Sequence, residues 1–445
     1  MFTCESGNSL NSQVGMQFWK GIFCLLLKFH FQKYLYAKNR DIIARMLKKI
    51  VKTNSYRGSR RSGGSDVSAG SSRIHWVDTA KAISIFCIVF GHTIRDDSMA
   101  GNFIFSFNTA VFFMLSGYTF RGDRRSSGSF IVNALKKIML PFYFWSIVSI
   151  VIYTIAGQGI TGSLGNRASA SVNNSLTGNL MGMLYANSET GLMNWNRPLW
   201  FLPCLFCIEC IWFAVLKLTE KTIAIGKSLS GKHQNTVVDC TAASVILLSF
   251  TFMYYITYSH SNFIWPLESE TALSMCSYFG IGLMLRRIPE QYPGLIFGTR
   301  TFLNKITKGR ARIKTVMLAA LAGVLFAFVI ILSHYAGHMD SRPDDFNNVT
   351  AYILCSLAGS AAIILISRAV GKFLPFEYVG RRTLAILVLH KFPLYIIEIL
   401  SPSVHALIRK DYLPVCIAAD IVIVLLCLAV EKLLRRFAPI TIGAK

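Results

Sequence analysis

KAISIFCIVFGH, Lys81 to His92, is a run of membrane-helix sequence closed by a lysine at one end and a histidine at the other. Between them only Ser84 carries a polar group. Ionisable residues are expensive to place in hydrocarbon, and inside a membrane segment they are by default functional candidates. Eleven residues make about three helical turns and about 16 Å of rise, so the two side chains project from nearly the same face. Asp78 lies one turn before Lys81 on that face, at the spacing of an ion pair. One helix face therefore offers an acid–base pair at one mouth and an imidazole far along it.

The rest of the chain agrees with a membrane reading. Of 445 residues 53% are hydrophobic, 13% aromatic and 15% charged, against roughly 25% charged in soluble domains. Apolar blocks near the ~20 residues that cross ~30 Å of hydrocarbon recur at about 78–94, 103–120, 138–157, 198–216, 237–257, 271–285, 315–334, 350–367, 383–400 and 413–434. They are too long for ordinary strands and lack barrel alternation, so helices are expected. The expectation is an all-α, polytopic bundle of about ten transmembrane helices. The sixth block is short, and the ninth contains His390, Lys391, Pro393 and Glu398. No internal repeat is evident.

With the amino terminus inside, almost all of the 46 Lys and Arg residues fall in the segments that alternate helices leave on that side. The positive-inside rule then puts both termini in the cytoplasm of a multi-pass protein of the cytoplasmic (plasma) membrane. The net charge of +24 needs no nucleic acid, because a cytoplasmic face meets anionic lipid headgroups. It is equally compatible with an anionic cytosolic cosubstrate.

Residues 1–72 read as a basic cytoplasmic tail. MQFWKGIFCLLLKFHFQKYLY suits an interfacial helix, and Ser55–Ser72 is a Gly/Ser-rich flexible linker. No signal-peptide pattern is seen, and internal Met46 leaves an upstream start site as one explanation of the tail. A membrane domain over 73–436 and a cytoplasmic tail over 437–445 complete the expected organisation. Cys204, Cys207 and Cys210 are spaced like part of an iron–sulfur signature but lack its fourth ligand and following proline. His260, His334, His338 and His405 lack metal-ligand spacing, so no metal is expected. Glu209 and Asp420 are intramembrane acids whose partners the sequence does not name.

Arg73–Ile94 followed by FSFNTAVFFMLSGYTFR (Phe105–Arg121) resembles the opening of the acyltransferase family 3 membrane enzymes. The shared features are a basic residue, ten residues and a histidine, here Lys81 and His92, then an FF-x-L-S-G-Y core, here Phe112 to Tyr118. KKIMLPFYFW (Lys136–Trp145), NRPLWFLPCLF (Asn196–Phe206), Trp265–Leu285 and VGRRTLAILVLHKFP (Val379–Pro393) resemble later elements in order, most closely in the branch related to fucose 4-O-acetylases. Many members carry arginine where this chain has Lys81 and Lys136/Lys137, and lysine lacks the bidentate fork.

The resemblance implies transfer of an acyl group, most often acetyl, from cytosolic acyl-CoA to a hydroxyl of a surface carbohydrate. In that reading the catalytic residues are His92, as base or acyl carrier, Lys81 and Asp78. Lys81, Arg121, Lys136 and Lys137 bind the coenzyme phosphates. Ser116, Tyr118, Asn196, Trp200, Glu270 and His390 bind substrate. Ser116-Gly117 reads equally as a close-packing notch between helices. A transporter or flippase of a glycan or lipid precursor is the alternative from another class. A succinyl donor or a lipid acceptor is the alternative within the enzyme reading.

Overall fold

The computed structural model describes residues 74–94, 98–122, 125–156, 176–188, 194–225, 231–259, 265–291, 310–340 and 348–444. The tail, interfacial helix and linker expected over 1–72 lie outside the described residues, as does His260. Among the described residues every regular element is a helix. In chain order they are α1 (His75–Thr93), α2 (Met99–Phe105), α3 (Asn108–Thr119), α4 (Ser127–Ala134), a π turn (Leu135–Met139), α5 (Leu140–Ala156) and α6 (Leu176–Tyr185). A 3-10 segment (Asn194–Trp200) leads into α7 (Phe201–Ile225), followed by α8 (Gly231–Ser259), a 3-10 turn (Pro266–Glu268) and α9 (Ser269–Gln291). The remainder are α10 (Ala311–Ala336), α11 (Val349–Val370), α12 (Leu374–Gly380), α13 (Thr383–Leu389), α14 (Lys391–Leu400), α15 (Pro402–Arg409), α16 (Leu413–Phe437) and a closing 3-10 turn (Pro439–Ile442).

All ten expected blocks are helical, but they are not equal. Among the described residues, seven stretches are long and apolar enough to cross a membrane: 99–119, 127–152, 195–224, 233–259, 311–336, 349–370 and 413–437. The other three blocks, α1, α9 and the α13–α14 pair, fall outside that set, and much of α1, α9 and α13 is buried. Most of α1 is buried, as are Ala385 to His390 of the α13 end. A helix shielded by its neighbours need not be apolar all round, which is why the weakest blocks by hydropathy are the interior ones. The opposite case is α10, whose apolar window is only 11% buried.

The ninth block is broken at His390, where the sequence suggested one helix. Pro393 has no N–H for the Leu389 carbonyl, and the His390 ring takes the carbonyls of Ile386 and Leu387. The second block is also two pieces, α2 and α3. Ser98 caps the first of them, its hydroxyl accepting from the Gly101 N–H at 3.0 Å.

Two close approaches hold the interior helices. A Cβ on Gly117 would collide with the Phe279 carbonyl, and one on Gly282 with the Met114 carbonyl. The SGY element is therefore a notch through which α3 and α9 touch backbone to backbone, the usual substitute for hydrophobic driving force in a bilayer. Gly380 does the same for α12 against the Asp78 carbonyl of α1.

Candidate active site

Lys81, Ile85 and Ile88 step along one face of α1 and line a cavity of about 470 Å³. The same face reaches His92 one turn later. Across the cavity, Thr383, Leu384 and Leu387 step along α13 toward His390 in the same way. Phe112 and Ser116 of α3 and Phe201 and Leu205 of α7 close the sides. Ser84, the one polar residue between Lys81 and His92, is satisfied within its own helix, its hydroxyl donating to the Ala80 carbonyl at 2.8 Å.

One end of this cavity is cationic. Lys81, Arg121, Arg125 and Lys137 line it together with the carboxylate of Glu209, which interacts electrostatically with Lys137 and Arg125. The positions of these cations follow from local backbone chemistry. Pro141 deprives the Lys137 carbonyl of its ordinary helical donor, and the chain answers with a π turn in which the Leu140 N–H donates to the Leu135 carbonyl. That turn sets Lys137 on the cavity wall, while Lys136 is not part of the lining; both side chains are exposed. Both were expected among the coenzyme-binding residues, and the structure places only Lys137 with the group. Arg121 follows α3, where the Phe120 carbonyl accepts from Arg121 at 3.3 Å and from the buried Arg286 guanidinium.

Asp78 was expected to pair with Lys81. Its carboxylate faces Arg381, with Nε at 3.5 Å from Oδ2, and it is not part of the cavity lining. Arg381 also donates to Glu377 at 3.0 Å, and the other Glu377 oxygen is 2.8 Å from His75 Nδ1. The close approach permitted by Gly380 lets Arg381 reach across from α12. Asp78 is thus part of a clasp between α1 and α12.

One turn beyond the lining residues Ile88 and Leu387 lies a histidine pair, neither ring of which is part of the cavity lining. His92 and His390 stack with ring centroids 5.1 Å apart and planes 22° apart. Phe105 meets His92 edge-on at 6.5 Å and His338 at 5.9 Å. His390 is fully buried. Asn196, also fully buried, sits at non-helical φ −140° and ψ 64° and donates from Nδ2 to the Ser149 hydroxyl at 3.1 Å and to the Val388 carbonyl at 3.4 Å. It therefore anchors the end of α13 two residues before His390. The sequence assigned His92 to catalysis and His390 and Asn196 to substrate; the fold gathers all three in one neighbourhood.

The remaining expected residues scatter. Ser116 lines the cavity. Tyr118 packs edge-on against Trp76 at 5.0 Å, and Trp200 against Phe201 at 6.2 Å. Glu270 is buried in the first turn of α9 and is not part of the lining. Cys204 is buried while Cys207 and Cys210 are half-buried on successive turns, so the three thiols do not share one environment. Arg125 and the carboxy-terminal segment escaped the sequence reading. Arg125 looks like one more positive-inside charge. The last residues look like a tail, yet Thr441 and Ile442 are buried, the Thr441 carbonyl accepts from the Trp145 indole at 2.9 Å, and Gly443 lines the cavity.

Compared with known protein families, residues 74–432 match an acyltransferase domain. No curated protein and no solved structure matches the chain.

Proposed function

The chain belongs to the acyltransferase family 3 membrane proteins, and we propose that it transfers an acyl group, most simply acetyl, from acyl-CoA to a hydroxyl of a surface carbohydrate. The observation that carries this reading is a cavity lined by four cations and by apolar residues of α1 and α13, two helices whose next turn brings His92 and His390 ring against ring. Phosphates of the coenzyme are bound by Lys81, Arg121, Arg125 and Lys137, and the acyl-bearing arm lies along Ile85, Ile88 and Leu387. The distance from Lys81 to His92 along the helix, about 16 Å, separates a highly charged nucleotide from the reacting carbon.

At the histidine end the acceptor oxygen attacks the thioester carbonyl. A carbon–oxygen bond forms, the carbon–sulfur bond breaks, and the hydroxyl proton passes through an imidazole to the leaving thiolate. A neutral imidazole is suited to this at neutral pH, either as base or as transient acyl carrier, and His92 is the first candidate for it. The carbohydrate acceptor rests on the motif likeness to the fucose 4-O-acetylase branch. The cytoplasmic placement of the cationic end rests on the distribution of Lys and Arg along the chain.

The test is acetyl transfer by the detergent-purified full chain, following thiol release from acetyl-CoA. Lys81→Ala and Arg125→Ala are expected to raise KM for acetyl-CoA roughly ten- to a hundredfold, the worth of one charged hydrogen bond. Proton NMR of surface polysaccharide before and after mild base reports the ester in cells. Absence of thiol release above the protein-free rate, or unchanged KM in both variants, overturns the reading.

A further inference from the structure

His390 closes α13, wholly buried, with its ring face against His92. Its Nδ1 is 2.8 Å from the Leu387 carbonyl and 3.2 Å from the Ile386 carbonyl. Carbonyl oxygens only accept, so Nδ1 holds the hydrogen and the neutral ring presents an unprotonated Nε2. That nitrogen has no hydrogen-bond partner among the described residues. A buried acceptor in that state is costly unless a ligand or water completes it.

We infer that His390 is a second catalytic histidine of the acyl transfer, and that its Nε2 takes the proton of the acceptor hydroxyl. The inference rests on the acyltransferase reading above and moves the base from His92 to its stacked neighbour. Three features select His390. Its tautomer is fixed by main-chain carbonyls, the arrangement that defines which imidazole nitrogen is basic. Its position is fixed by Asn196, which holds the Val388 carbonyl. And it follows the lining residue Leu387 by one turn on the same face of α13, buried just beyond the cavity wall.

The stacked ring of His92 sets a limit on charge. Two imidazolium rings with centroids 5.1 Å apart would repel, so a proton taken up by His390 disfavours a second on His92. The step balances without another reactant. The hydroxyl proton moves to Nε2 as the oxygen bonds to the acyl carbon, the carbon–sulfur bond breaks, and Nε2 returns the proton to the thiolate.

The experiment uses the full chain in detergent, acetyl-CoA, and surface polysaccharide extracted from the producing cell and de-esterified with mild base. His390→Gln and His390→Gly are compared with wild type for kcat, for KM of acetyl-CoA, and for recovery of activity in added imidazole. The expected result is a fall in kcat of about 10²–10⁴-fold with KM within about twofold, and partial recovery of His390→Gly by imidazole. Retention of wild-type kcat by His390→Gln overturns the inference. So does a loss that imidazole does not restore, or that brings an equal loss of acetyl-CoA binding, since a structural plug behaves that way. If wild type itself shows no turnover, the acyltransferase reading fails and the inference falls with it.

Discussion

Lys136 and Lys137 are neighbours in the chain with different surroundings. Both are exposed, but the π turn before Pro141 sets Lys137 on the cavity wall and leaves Lys136 outside the lining. Lys137→Ala is therefore expected to raise KM for acetyl-CoA several-fold, and Lys136→Ala to leave it unchanged, in the same thiol-release assay. From sequence the two were indistinguishable, because a basic pair before a proline does not declare which member a bulged turn will set on a cavity wall. The histidines were legible one at a time for a different reason. Each is an ionisable group in apolar sequence, and that signal is local. Their stacking is not local: 92 and 390 are brought together only by packing of α13 against α1. Asp78 shows another non-local contact: Arg381, three hundred residues on, lies against its carboxylate, and no spacing in the sequence announces that.

At the level of helices, the reciprocal notch between α3 and α9 makes a sharp expectation. A Cβ at Gly117 meets the Phe279 backbone, which has no side chain to swing away. Gly117→Ala is expected to cost about 1–3 kcal/mol by overpacking, read as a lowered unfolding temperature in detergent. Gly323 on α10 has open space around its Cβ position, so Gly323→Ala in the same assay is expected to be neutral or stabilising. The existence of each helix was legible, since a run of ~20 apolar residues has few other solutions. The breaks at Ser106–Phe107 and at His390 were not. They depend on side chains competing for backbone carbonyls, which hydropathy does not measure.

Across the molecule, the least expected participant is the carboxy-terminal segment. It packs against α5 through the Thr441 carbonyl and the Trp145 indole, and Gly443 fills a gap beside the Lys137 carbonyl with a left-handed φ of +64°. Gly443→Val is strained on both counts: a β-branched residue is disfavoured at positive φ, and its Cβ would press on Leu384 and the Lys137 carbonyl. The expected outcome is a lower kcat/KM for acetyl-CoA with normal membrane insertion, checked by activity at matched protein levels. Nothing in a short stretch such as APITIGAK announces a wall of a cavity, since its few apolar residues have no periodicity to read.

The contrast between the largely buried helices α1, α9 and α13 and the apolar stretches found among the described residues has a further consequence, in how the chain tolerates change. A lipid-facing leucine is replaceable by almost any apolar residue, so α10, scarcely covered by its neighbours, is where sequence drift should accumulate fastest. In α1, α9 and α13 each side chain is judged by a specific neighbour. A scan of all single substitutions, scored only by growth or by ester content, would then draw the outline of those three helices on the sequence with no coordinates in hand.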